Sequence, residues 1–225
     1  MKYGESIFDI IYLLFAVASG IIILLRRRDL PGRLMGSAAL ILGGGDAFHL
    51  VPRVLNYFLD GNFTVWLGFG KLVTSLTMTA FYVMLFLLHK SLFSSKSRSV
   101  MGVSVYALAL LRVAVCMFPQ NNWLTNDSSA LWGVIRNIPF AMLGLLIVLL
   151  YWQTRKDIKE LGRVWIYVTF SFLFYIPVAV GAGAVPLLGM LMLPKTVCYM
   201  LMLCAFLRLS FKKEQDKRAG LKLIV

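Results

Sequence analysis

Long apolar segments separated by short polar ones recur along the whole sequence. Each segment holds roughly 20 residues, which at about 1.5 Å per residue is enough for a helix to cross a hydrocarbon core about 30 Å thick. The pattern predicts membrane-spanning helices at residues 6–25, 33–58, 65–89, 100–118, 131–152, 162–182 and 186–209. We therefore predict an all-α, polytopic membrane protein with about seven spans.

The charges between these spans predict an orientation. Basic residues are concentrated in four segments, at 26–33, 89–98, 153–163 and 212–222, whereas the segments at 59–64, 119–129 and 181–186 are neutral or acidic. Lysine and arginine collect in the cytoplasmic loops of membrane proteins. We expect a multi-pass protein of the cell membrane with its N-terminus outside and its C-terminus in the cytoplasm.

The composition narrows the choice of partners and cofactors. The chain is 60% hydrophobic and carries a net charge of +13, but no basic and aromatic module lies outside the spans, so we exclude nucleic acid as a partner. The three cysteines, Cys116, Cys198 and Cys204, lie in apolar spans without the spacing of metal ligands. His49 and His89, the only histidines, fall at opposite membrane faces. We expect neither a metal nor another cofactor.

The two halves of the chain share features that indicate an internal repeat. Pro52 precedes Lys71 by 19 residues, and Pro177 precedes Lys195 by 18; each lysine opens an apolar helix. A basic segment ends the first span and another ends the fifth. We predict a first three-helix unit at 1–98, a linker helix and outer loop at 99–129, a second three-helix unit at 130–211 and a basic cytoplasmic tail at 212–225.

This plan of three, one and three helices, with a proline in each unit, resembles the sugar-transporter (SWEET) and KDEL-receptor group of seven-helix, PQ-loop-like proteins. The resemblance covers nearly the whole chain, as architecture only. The single Pro-Gln pair, Pro119-Gln120, falls in a predicted outer loop and does not match the helix-kinking motif of that group. No functional residue is carried over from it.

The stretch GGGDAFHLVPR at residues 43–53 combines an acid, an imidazole and a cation inside an apolar span. Offsets of three and seven place Asp46, His49 and Arg53 on one face of a helix. Three glycines precede them and Pro52 lies among them, so we expect the helix to kink or break there. Ionisable groups within a membrane are costly and therefore indicate function.

Gly45-Asp46, followed by the apolar segment at residues 66–86, resembles the Gly-Asp signature region of the YhhN family. Members of that family are multi-helix lysoplasmalogenases that cleave the vinyl-ether bond of lysoplasmalogens. The resemblance implies an alternative function, a membrane hydrolase of ether lipids with Asp46 as acid or base. This chain has Ser75 near the position where the family has a histidine, and Phe174-Tyr175 where it has a second acid.

Eight ionisable residues fall between the middle and the outer edge of the predicted spans: Asp9, Asp46, His49, Arg53, Lys71, Arg112, Arg136 and Lys195. We predict that they converge, with Tyr175, on a polar cavity that opens to the outside. Five bases against two acids favour an anionic ligand. The predicted ligand-binding residues are Arg53, Lys71, Arg112, Arg136, Tyr175 and Lys195, with Asp46 and His49 as a proton relay or acid–base pair.

The leading hypothesis is therefore binding, and transport, of a small anionic solute or a lipid head group by an integral membrane protein. Structural roles for the same residues stay open. Arg53 and Arg136 lie near enough to helix ends to reach the interface. Asp46 has the depth to form an ion pair with Lys195 or Arg112 that holds the two units together. A receptor or assembly subunit without chemistry is a further alternative, and the sequence leaves the oligomeric state open.

Overall fold

The computed structural model describes residues 2–93, 99–126, 129–181 and 185–222, and in these ranges it contains helices and no strands. The α-helices are α1 (Lys2–Arg26), α2 (Leu30–Phe58), α3 (Thr64–Leu92), α4 (Ser99–Cys116), α5 (Ala130–Gln153), α6 (Val164–Gly181) and α7 (Met192–Lys222). Short 3₁₀ segments occupy Pro119–Asn121, Lys159–Leu161 and Pro186–Leu191. The predicted all-α fold is confirmed.

Six of the described helices, α1, α2, α3, α5, α6 and α7, are long and apolar enough to cross a membrane. The apolar part of α4 is shorter and covers Val100–Cys116. Leucine, isoleucine, valine and phenylalanine side chains are exposed along these helices, as expected where the outer surface of a bundle contacts lipid instead of water. By these properties the chain is a helical membrane protein.

The structure corrects two expectations about helix ends and breaks. The seventh helix begins at Met192 and not at residue 186, because a 3₁₀ segment precedes it. The expected break in the second span is wrong, since α2 is continuous through Gly43–Gly45 and Pro52. Pro52 withholds only one N–H, and the Phe48 carbonyl that lacks this donor lies in the space left by a glycine of α3: an ideal Cβ on Gly70 would lie 2.2 Å from Phe48 O.

The helices form a ring in which each packs against the next along the chain and α7 returns to contact α1. Contacts between α3 and α5 and between α2 and α7 cross the interior. The centre holds an aromatic cluster, defined here as Phe81, Tyr82, Phe140 and Tyr199. Its rings meet edge to face, with centroids 5.1 Å apart for Tyr82–Phe140 and 5.9 Å for Phe81–Tyr199.

The basic connecting segments at 26–33, 153–163 and 212–222 gather at one end of the bundle, here called the basic end. Arg26 of α1 pairs with Glu214 of α7 at 2.8 Å, and Lys212 pairs with Glu160 at 2.9 Å. At the same end Arg27 pairs with Asp29 in the α1–α2 connection, and this guanidinium lowers the pKa of the Asp29 carboxyl below its ordinary value.

The connection between α4 and α5 lies at the opposite end of the bundle. Trp123 in this connection donates its indole N–H to Cys116 O at 2.8 Å. Its carbonyl lies against α3 where Gly68 leaves room, since an ideal Cβ on Gly68 would lie 1.5 Å from Trp123 O. The connection is thereby fixed against α3, at the rim of the site described below.

The α2–α3 interface is the most extensive in the bundle and depends on small residues. An ideal Cβ on Gly45 would lie 1.9 Å from Thr77 Oγ1 and 2.5 Å from Thr77 Cβ. Thr74 Oγ1 donates to Gly45 O at 3.1 Å across the same interface. Gly44, next to Gly45 in the same helix, has nothing within 4 Å of its ideal Cβ position.

We expect Gly45→Ala to lower the melting temperature of the detergent-purified protein. The added methyl group would clash with Oγ1 and Cβ of the Thr77 side chain, and overpacking of this kind typically costs about 1–3 kcal/mol. Gly44→Ala is the matched control and should leave the melting temperature unchanged or slightly higher. Equal melting temperatures for the two variants would contradict the close approach of α2 and α3.

Candidate functional site

A cavity of about 440 Å³ lies inside the half of the bundle that faces away from the basic end. We call it the basic cavity. Helices α2 to α7 and the α4–α5 connection all contribute to its wall. Its described lining residues are His49, Lys71, Thr74, Ser75, Met78, Arg112, Trp123, Ser129, Ala130, Gly133, Arg136, Asn137, Phe140, Tyr175, Val178, Ala179, Val180, Met192 and Lys195. Phe140 connects this wall to the aromatic cluster.

Lys195 of α7 is the most unusual residue of the wall, because it is a lysine with only 7% of its surface exposed. Its ammonium group lies over two aromatic rings, 4.7 Å from the centroid of Tyr175 and 5.4 Å from that of Tyr199. It forms no ion pair within the described part of the chain. Ring faces attract a cation, but they do not neutralise its charge.

Arg112 of α4 is buried, with 2% of its surface exposed. Its guanidinium stacks 3.7 Å from the Phe140 ring centroid and donates long hydrogen bonds of 3.3 Å to Arg136 O and Asn137 Oδ1. The same amide oxygen accepts a hydrogen bond of 2.7 Å from the Tyr175 hydroxyl. Arg112 Nε has no hydrogen-bond partner among the described residues. Arg112 thus keeps donor capacity and a charge that no described carboxylate balances.

The other two cations lie nearer the mouth. Arg136 donates to Asn121 Oδ1 at 3.1 Å, and its guanidinium lies 4.7 Å from the Trp123 ring centroid. Lys71 of α3 has an exposed side chain, as do Ser129 and Ala130 at the start of α5. These exposed lining residues mark the opening of the cavity at the end opposite the basic end.

The acids expected in the cavity lie elsewhere. Three hydrogen bonds join α1 to α2, and we call them the α1–α2 polar interface: Tyr12 Oη to Asp46 Oδ2 (2.6 Å), Arg53 to Asp9 Oδ2 (2.5 Å) and Tyr57 Oη to Glu5 Oε2 (3.1 Å). Asp9 is 3% exposed. Asp46 and Arg53 are absent from the described lining of the cavity, because both side chains are engaged by α1.

The acid–imidazole pair expected from the sequence is not formed. Asp46 accepts its hydrogen bond from Tyr12, whereas His49 lines the cavity, and its Nδ1 is buried without a partner among the described residues. Asp46 also makes no ion pair with Lys195 or Arg112 in the part of the chain that the structure describes. No direct salt bridge of this kind joins the two halves, although Asp46 and Lys195 remain within electrostatic range of each other.

The resulting distribution of charge differs from the expected one. The described wall contains four basic side chains and no acidic one, so it is more positive than the sequence indicated. Six of the eight predicted site residues line it: His49, Lys71, Arg112, Arg136, Tyr175 and Lys195. Charges in a medium of low dielectric act strongly on one another. A negatively charged group entering the cavity would relieve the repulsion among them.

Sequence reasoning missed the two amides that position these cations. Asn137 bonds both Arg112 and Tyr175, and Asn121 bonds Arg136. Asn137 is an amide inside an apolar span, directly after Arg136, and that pattern was the available signal. Asn121 follows the Pro119-Gln120 pair in the connection, where an amide is unremarkable, so its role follows only from the contacts.

No group of three or more His, Cys, Asp or Glu side chains among the described residues is arranged to hold a metal ion. Comparisons of the chain with protein-family models, with curated proteins and with solved structures found no match. Any functional conclusion therefore depends on the cavity itself.

The Asp9–Arg53 pair can be tested independently of the cavity. We expect Arg53→Met to lower the stability of the purified protein by on the order of 3 kcal/mol, because Asp9 is left as a buried carboxylate without a partner. The double variant Asp9→Leu with Arg53→Met should recover most of the loss. Thermal unfolding of both variants measures the effect. A double variant less stable than Arg53→Met would contradict the pairing.

Proposed function

We propose that this chain is a multi-pass membrane protein that binds a small anionic solute or a lipid head group in the basic cavity and transports it. The observation that carries the proposal is the composition of the cavity wall, with Lys71, Arg112, Arg136 and Lys195 and no acid among its described residues. Arginine offers planar, bidentate donors to phosphate or carboxylate, and lysine offers a compact point charge.

The energetic argument concerns Arg112 and Lys195 above all. Taking a charge out of water costs several kcal/mol unless a partner restores the lost interactions. Both side chains are buried, and neither forms a direct salt bridge with a carboxylate in the described ranges. Aromatic contacts return about 0.5–2 kcal/mol each. The remaining deficit favours occupation of the cavity by an anion.

Transport is proposed from the position of the cavity between the two halves of the chain. Residues of α2 and α3 form one side and residues of α5, α6 and α7 the other, with α4 contributing Arg112. We propose that residues 1–98 and 130–211 act as two three-helix units, with α4 as the linker and a seventh span, and that they rock about the bound anion. Opening at the basic end would then require separation of the α3–α5 and α2–α7 contacts.

The hydrolase alternative has no support from the cavity. Asp46, the acid that the YhhN resemblance implies, is hydrogen-bonded to Tyr12 at the α1–α2 polar interface. A lysoplasmalogen turnover assay separates the hypotheses, because the binding proposal expects no turnover. A receptor or assembly role without chemistry would leave an anion bound but not carried across.

We expect Lys195→Met and Arg112→Met to weaken binding of small anions about ten-fold or more, since each removes a charge-assisted contact worth about 1.5–3 kcal/mol. The measurement is the rise in melting temperature of the detergent-purified protein with inorganic phosphate, glycerol 3-phosphate or succinate. Lys90→Met removes an exposed lysine near the end of α3 and serves as the control. Its anion response should equal that of the wild type.

Two results would contradict this proposal. One is a wild-type protein that gains no stability from any of the three anions. The other is an unchanged response in both cavity variants. Uptake of the stabilising anion into proteoliposomes then tests transport separately from binding.

The orientation is a further part of the proposal. Because the basic end carries the arginines and lysines of the connecting segments, we propose that it faces the cytoplasm and that the cavity opens outside. A fluorescent-protein fusion at the C-terminus should therefore fluoresce in intact bacteria, whereas an alkaline-phosphatase fusion at the same position should be inactive. The reverse pattern would contradict the orientation.

A further inference from the structure

A second cavity, of about 130 Å³, lies beside the basic cavity between α5 and α6. We call it the α5–α6 groove. Its described lining is Val134, Asn137, Ile138, Ala141, Phe172, Tyr175, Ile176, Ala179 and Val180. Three of these side chains, Ile138, Ile176 and Val180, are 54%, 47% and 58% exposed, so the groove opens on the outer surface of the bundle. In a membrane-spanning bundle that surface faces lipid.

The shape of the groove follows from the packing of two helices. Towards the basic end, α5 and α6 approach closely, since an ideal Cβ on Gly144 would lie 2.0 Å from a ring carbon of Phe172. Beyond that contact, two alanines, Ala141 and Ala179, are among the residues that line the groove. Pro139 and Pro177 interrupt the hydrogen-bond ladder of the two helices in this same stretch.

The groove and the basic cavity share a wall. Asn137, Tyr175, Ala179 and Val180 line both. The hydrogen bond from the Tyr175 hydroxyl to Asn137 lies at this boundary, and Asn137 also accepts from Arg112. A ligand atom bound by Arg112 or Lys195 would therefore be adjacent to an apolar channel that leads to the bilayer.

We propose that the ligand is an anionic amphiphile, with its phosphate or carboxylate group in the basic cavity and its hydrocarbon chain in the α5–α6 groove. This inference rests on the proposed function and narrows it to one substrate class. Cations on one side of the shared wall and apolar side chains on the other match the two chemical parts of such a molecule. The lateral opening lets the chain remain in a hydrocarbon environment while the head group enters the cavity.

The mechanism assigns different tasks to the two sites. The cations bind the head group whatever chain it carries, and the groove adds affinity through the packing contacts that it makes with the chain. Tyr175 is a positioning residue, because its ring lies 4.7 Å from Lys195 Nζ and its hydroxyl is bonded to Asn137 at the boundary. A small hydrophilic anion would bind only in the basic cavity and would leave the α5–α6 groove empty.

The experiment compares dodecyl phosphate with butyl phosphate, and dodecanoate with butanoate, in titrations of the detergent-purified full chain. Ala141→Phe fills the groove and leaves the lining of the basic cavity intact. Met142→Phe adds the same ring at a neighbouring lipid-exposed position outside the groove and is the matched control. Partition of the long probes into detergent is the same for all variants, so it cancels when the long-to-short affinity ratios are compared.

We expect Ala141→Phe to reduce the long-to-short affinity ratio about ten-fold relative to wild type, because the long chain loses its packing contacts in the groove, with butyl phosphate or butanoate binding unchanged. Met142→Phe should keep the wild-type ratio, and Lys195→Met should weaken both members of a pair. Should Ala141→Phe fail to fold, Ile176→Ser makes the groove polar and should lower the ratio in the same direction.

The outcomes separate the two levels of the proposal. If the short probes bind through Lys195 and the groove substitutions do not change the long-to-short affinity ratio, the ligand is a small solute. That result overturns the amphiphile inference alone. If Lys195→Met changes the binding of none of the probes, the proposed function itself is overturned.

Discussion

The carboxylates of Asp9 and Asp46 are held at the α1–α2 polar interface by Arg53 and Tyr12, and the character of the cavity depends on this arrangement. If either acid faced α7 it would offer Lys195 a permanent partner and reduce the attraction for an external anion. Because α1 engages both acids, Arg112 and Lys195 form no direct salt bridge with a carboxylate in the described structure, and Asp46 acts on Lys195 only from a distance. The first helix contributes nothing to the described cavity wall, yet it determines the charge of that wall.

Buried cations need some compensation even before a ligand arrives, and aromatic rings supply it here. Arg112 stacks on Phe140, Lys195 lies over the rings of Tyr175 and Tyr199, and Arg136 lies over the Trp123 ring in the α4–α5 connection. These contacts stabilise charge without occupying the guanidinium and ammonium donors. Carboxylate partners would have been stronger but would have competed with the ligand. The aromatic wall therefore keeps the cations in place and available.

The helices could be predicted from the sequence, because the length of the apolar segments and the positions of the polar segments between them determine where a chain crosses a membrane. Each α-helix overlaps one predicted span. The depth of each polar residue along its helix could be predicted for the same reason, and most of the polar residues predicted at one depth do line one cavity. The direction in which each side chain points around its helix could not be predicted. Residues three positions apart on a helix point about 60° apart, which is enough for Asp46 to contact α1 while His49 lines the cavity. Which neighbouring helix each face of a helix contacts is determined only when the bundle assembles.

The basic residues of this chain perform two separate tasks that its net charge of +13 conceals. Those in connecting segments lie at one end, where they would interact with the membrane surface and set the orientation. Those of the cavity lie within the spans at the other end, and loops rather than buried residues determine topology. Under the proposed function, a positive cavity that opens opposite the basic end would give an anion a favourable site on that side of the protein. Under the proposed transport, release of the anion would depend on weakening that site when the two units rearrange. Asn137 and Tyr175, which both belong to the second unit, form the wall where the groove meets the cations.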